Sequence, residues 1–234
     1  MNIIDYAIIA IFVLFVLISY YEGFLMSVAG VASFFFSWLC GIIFSLPMAA
    51  LIRSNESLFN ALGYYAEGSE FIYDIELAKT NVSALSGTQI NELVSASGLP
   101  SPLDKLVSVN LFSEAFANKN LTTVGEYFNQ TIVNFAVNIM SFLAVFFIVR
   151  AILALITHGV DYTVKLPVLK HFDSGIGAGL GIVRGFFAVF VVFMLVPLVL
   201  TMMHTVPQIA QVIKESFFGP FFYDSNFLLS MIKG

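Results

Sequence analysis

The run Gly175-Ile-Gly-Ala-Gly-Leu-Gly-Ile-Val-Arg-Gly185 opens an apolar stretch that continues to about Met203. Its glycines recur at helical spacing: Gly177, Gly181 and Gly185 make two overlapping GxxxG pairs, and Gly175 with Gly179 makes a third. At about 100° per residue, Arg184 falls on the side of Gly177 and Gly181. So smooth a face admits a second backbone, and in a bilayer that van der Waals contact drives helix association. A lipid-facing cation is costly, so Arg184 is expected to face a partner helix or a polar cavity. The segment reads as a membrane span, and the expected fold class is all-α.

Upstream lies the turn His158 to Ser174, with His158, His171, Asp161 and Asp173. Their spacing matches no compact metal-ligand motif, so a solvated turn is expected, with Asp173-Ser174 capping the glycine helix. Before it runs an apolar segment from about Ile132 to Thr157, opened by the capping box Thr123-Val-Gly-Glu126. Gln130, Asn134, Asn138 and Ser141 follow i, i+4, i+8, i+11 and form one polar row, which implies hydrogen bonding across helices. A row lining a solute path is the other reading. Arg150, near the far end, could snorkel outward. The acceptors expected for Arg184 are Asn138 and Ser141 of this row; Glu22 would serve only if the first span tilts or its turn dips inward. Backbone carbonyls bared by the glycines are the remaining possibility.

The N-terminal part repeats the apolar pattern twice, from about Ile3 to Tyr20 and from Phe24 to Ile43. Each is close to the roughly 20 residues that cross a bilayer core. Asp5 stands at the outer edge of the first. The turn Tyr20-Tyr-Glu-Gly-Phe24 is so short that the second must return antiparallel, and Pro47 should disturb the helix after it. The expected architecture is an integral membrane four-helix bundle with an amphipathic helical insertion between spans two and three. Its parts are a hairpin over 1–52, a polar insertion over 53–131, a second hairpin over 132–205, and an amphipathic interfacial tail over 206–234. Within the insertion, Ser101-Pro-Leu-Asp104 reads as a helix start. Within the last span, Pro197 should kink the helix.

Composition agrees with that layout. Hydrophobic residues make up 59% of the chain and charged ones 11%, against about a quarter in soluble domains. The mean hydropathy is +0.93. Charge gathers between Arg53 and Glu126, and the net charge of −5 gives no nucleic-acid footprint. Cys40 is the sole cysteine, which excludes an intrachain disulfide. No HExxH, GxSxG or P-loop pattern is present, so no enzyme and no cofactor are expected. Four spans would place both termini and the insertion on one face. Lys165 and Lys170 in the second turn weakly favour that turn inside.

Several of these stretches resemble the colicin V production protein (CvpA-type) membrane family. The match lies in Leu166-Pro-Val-Leu-Lys-His-Phe-Asp-Ser-Gly-Ile-Gly-Ala-Gly-Leu-Gly-Ile-Val-Arg-Gly185, like the family's proline turn and glycine-rich helix ending in Arg-Gly. Ile3-Ile-Asp5, Glu22-Gly23-Phe24 and Phe147-Ile-Val-Arg150 fit as well, so the resemblance covers about 1–50 and 132–205. The family's first turn is basic, whereas Tyr21 and Glu22 stand there in this chain. The resemblance implies a multi-pass protein of the cell (inner) membrane, an accessory or assembly factor in toxin or bacteriocin production, export or envelope maintenance. Its partners would be the lipid bilayer and other membrane or secretion proteins, with a homo-oligomer possible and no nucleic acid. A small-solute or ion transporter or channel subunit, acting as an oligomer, is the alternative. The candidate residues for helix packing or function are Gly175, Gly177, Gly179, Gly181, Arg184 and Gly185, with Asn134, Asn138, Ser141, Arg150, Asp5 and Gly23.

Overall fold

The computed structural model describes residues 1–161, 173–202 and 207–230. The turn residues Lys165, Lys170 and His171 lie outside the described residues, so the expectations placed on them are not addressed. Among the described residues the chain is all-α, with no strand beyond an isolated bridge between Asn81 and Thr123. The long helices are α1 (Ile3–Ser54), α6 (Val124–Asp161) and α7 (Asp173–Phe193). Shorter ones are α2 (Glu56–Tyr65), α3 (Ile75–Lys79), α4 (Gly87–Ser97) and α5 (Leu103–Phe112) in the insertion. After α7 come α8 (Val196–Met202), α9 (Pro207–Glu215), α10 (Gly219–Asp224) and α11 (Phe227–Ser230).

The expected four-helix bundle is corrected here. Among the described residues three helices, not four, are long and apolar enough to cross a membrane: Ile3–Ser54, Val124–Thr157 and Asp173–Met202. The physical reason is Gly23. No loop separates the first two apolar runs; the chain leaves helical geometry at this one residue, with φ 78° and ψ −179°. That φ is the left-handed region glycine tolerates without penalty. Ser27 Oγ donates to the Ser19 carbonyl at 3.1 Å, although eight residues along a straight helix would separate them by about 12 Å. Spans one and two are thus a single helical element that doubles back at Gly23. Pro47 sits inside α1 and does not end it.

Two other local expectations shift. Ser101 is not a helix cap: the Ser101–Pro102 peptide is cis, and α5 begins at Leu103 with Pro102 in the cap position. The Pro197 break falls earlier than a kink near the end, because α7 stops at Phe193 and α8 restarts at Val196. A proline lacks the N–H and crowds the carbonyl four residues back, which here is Phe193. The capping box at α6 is present, with Thr123 N–H donating to Glu126 Oε2 at 2.9 Å. From there α6 runs unbroken into the apolar segment.

The chain forms two compact units. Of the described residues, one comprises 1–48, 141–194 and 208–228, the other 49–140 with 195–202, 207 and 229–230. In the first, Phe34 packs edge-on against Phe146 at 5.3 Å, and Phe187 meets Phe35 at 4.8 Å. Phe190 touches both Phe222 and Phe227, which ties α7 to α10 and α11. In the second, the insertion folds onto the start of α6. Tyr127, Phe128, Ile132 and Phe135 are fully buried there, as are Leu103, Val107 and Leu111 of α5. Asn110 of α5 donates to Thr131 of α6 at 2.9 Å. The 53–131 segment therefore carries its own buried apolar residues.

Candidate functional site

The glycine face of α7 explains how α1 and α7 come close. A Cβ on Gly181 would stand 2.6 Å from the Phe15 carbonyl oxygen and 2.7 Å from Val16 Cα. One on Gly185 would stand 3.1 Å from the Phe12 ring, and one on Gly177 would run into the Ser19 carbonyl. At Gly177 and Gly181 a side chain does not fit and backbone meets backbone, while at Gly185 the Phe12 ring would have to give way. Gly175 and Gly179 differ: a Cβ there would meet nothing within 4 Å. Sequence spacing alone did not separate the two rows.

Arg184 is on the close-packed row, and its partners are not those expected from the amide row. Its Nη1 donates to Glu22 Oε2 at 2.5 Å and to Ser19 Oγ at 3.0 Å. The Phe15 ring lies 5.7 Å from its Cζ, within cation–π range. The preference for Asn138 and Ser141 is corrected, because the helical element doubles back at Gly23 and so carries Glu22 to α7. Asn138 Oδ1 instead accepts from Arg53 Nη2 at 2.9 Å. Gln130 donates to Asn134 Oδ1 at 3.0 Å within the same helix, and Ser141 is fully buried. The four row members thus do not all turn to one partner.

Arg150 does not simply snorkel outward. Its Nη1 donates to the Gly30 carbonyl at 3.3 Å. Gly30 also bears the Arg184 guanidinium, since a Cβ there would stand 2.8 Å from Arg184 Cζ. Two arginines from α6 and α7 therefore converge on one glycine of α1. Sequence reading gave neither Gly30 nor Ser19 as a partner of these cations; the signal available was a small residue facing each of two isolated span cations.

Asp5 and Asp173 also find partners far along the chain. Asp5 is completely buried, and its Oδ1 accepts from Ser216 Oγ at 2.9 Å and from the Phe218 amide at 3.0 Å. Asn2 Nδ2 adds a bond to the Val212 carbonyl at 2.6 Å. The N-terminus of α1 thus holds the connection between α9 and α10. Asp173 was expected to cap its own helix, but its Oδ1 accepts from the Phe24 amide at 2.6 Å. It thereby caps the arm of α1 that starts after Gly23.

Among the described residues no group of three His, Cys, Asp or Glu side chains could hold a metal ion. Residues 111–226 match the family model described as Colicin V production protein. Over this stretch, just under half of the chain, the sequence is similar to that family. The match takes in Arg150, Arg184, the amide row and the glycine helix, and it extends past the expected resemblance into the tail. Residues 1–50, which also showed the resemblance, lie outside it. No curated protein and no solved structure matches the chain. This partial match, with three helices among the described residues long and apolar enough to cross a membrane, supports a multi-pass membrane protein similar to that family. Exposed apolar side chains such as Leu17, Phe44, Leu155 and Ile182 suit contact with a lipid bilayer.

Proposed function

We infer that the protein is an accessory or assembly factor in toxin or bacteriocin production, export or envelope maintenance. The single observation that carries this reading is the family match over 111–226. It is supported by a site built from packing contacts and paired side chains rather than from an exposed nucleophile or acid–base pair. The glycine row and the Arg184–Glu22 pair serve to fix helices against each other, which is what an assembly protein requires of its membrane part. Other membrane or secretion proteins, or further copies of the chain, are its proposed partners. The transporter reading has less support, because Asn138 and Asn134 each accept a hydrogen bond from a protein side chain.

In-membrane crosslinking followed by identification of the captured proteins tests this reading. Recovery of export or envelope components is the expected result. Solute or ion flux through the purified protein in liposomes, with no such partners captured, would overturn it.

A further inference from the structure

The convergence at Gly30 leaves guanidinium donors without acceptors. Arg184 is paired with Glu22. Arg150 has only the neutral Gly30 carbonyl as acceptor, engaging one of the five N–H donors of a guanidinium. The Nε of Arg184 is buried and donates to nothing. Asp173, the nearby carboxylate at the Gly23 end, already accepts from the Phe24 amide. Two guanidinium groups therefore converge on one residue with donors to spare.

Unfilled guanidinium donors inside an apolar helical unit suit an anion, because a cation there is stable only with acceptors around it. Guanidinium forks match the paired oxygens of a phosphate better than a point charge does. Depth is also suitable. Gly30 is seven residues from the fold-back at Gly23, about 10 Å of helix rise, which is within reach of a phosphate at the bilayer boundary. Around it the flanks are lipid-facing: Val28 on α1 and Phe147 and Ile148 on α6 are exposed. We propose that Arg150 and Arg184 form, over Gly30, a site for a phosphate group, borne by an anionic phospholipid or free in solution.

The test uses the full chain in neutral detergent, with phosphatidylglycerol, phosphatidylcholine or inorganic phosphate added. Thermal melting and native mass spectrometry are the readouts. Phosphatidylglycerol should raise the melting temperature and remain bound, and phosphatidylcholine should do neither. Arg150→Gln should weaken that binding roughly tenfold, with Arg150→Lys falling between it and wild type because charge survives without the fork. Lys214→Gln, an exposed cation on α9, should bind as wild type does. If inorganic phosphate alone stabilises the protein and competes with the lipid, the phosphate source is free rather than lipid-borne. Equal effects of the two lipids with none from phosphate, or an Arg150→Gln protein that binds phosphatidylglycerol undiminished, would overturn the proposal. The wild-type comparison decides even if a variant fails to fold.

Discussion

Arg184 and Glu22 are separated by 162 residues of chain, yet Nη1 and Oε2 lie 2.5 Å apart. The pair exists because Gly23 turns the chain immediately after Glu22, which leaves that carboxylate at the mouth of the groove where α7 packs. The Arg184 side chain is 9% exposed and that of Glu22 27%. The carboxylate therefore keeps contact with solvent while the guanidinium does not. Losing the acid should strand a buried cation, whereas losing the arginine leaves an acid able to hydrate.

That asymmetry sets the first expectation. Glu22→Gln should destabilise the protein by about 2 kcal/mol, and Arg184→Met by less once Glu22 rehydrates. The double variant should show coupling above about 0.5 kcal/mol. Melting of the four proteins in one detergent measures this, and additive losses would remove the pair as an energetic contact.

The two glycine rows should respond differently to bulk. Gly181→Leu inserts a side chain against Phe15 and Val16 and should cost about 1–3 kcal/mol through overpacking. Gly179→Leu points into open space and should change stability by about 0.5 kcal/mol or less. Expression level and melting temperature compare them, and equal behaviour would contradict the close approach.

Arg53 and Asn138 form a separate test of the amide row. Arg53→Ala and Asn138→Leu should couple by about 1 kcal/mol in a double-mutant cycle. Arg184→Met with Asn138→Leu should instead be additive to within about 0.5 kcal/mol. Coupling of Asn138 to Arg184 rather than to Arg53 would reverse the assignment made here.

Asp5 should hold down the C-terminal segment. Asp5→Ala removes the acceptor for Ser216 and the Phe218 amide and should cost about 1–3 kcal/mol, leaving two buried donors unpaired. Limited proteolysis provides a local readout, with cleavage beside the exposed Phe217 accelerating in the variant. Unchanged cleavage would mean the segment is held by its aromatic contacts alone.

Much of the architecture was legible in the sequence because it depends on properties of single segments. Apolar length identifies bilayer-crossing helices whatever they pack against, and Thr123 with Glu126 marks the start of α6 through bonds made within one turn. The i+4 recurrence of Gly177, Gly181 and Gly185 likewise follows from helix geometry alone. What tertiary structure decided is every partner. Helical spacing places Gly175 and Gly179 on a stripe as plausible as the one used, and only the path of α1 selects between them. The first two apolar runs read as independent helices, because nothing local distinguishes a loop from a single glycine at φ 78°. Arg184 needed an acceptor on physical grounds, but an amide at matching depth and a carboxylate beside a turn satisfy that need equally in sequence. The doubling back at Gly23 brought Glu22, Ser19 and Gly30 to it, contacts between residues far apart in the chain that depend on the path of the folded backbone.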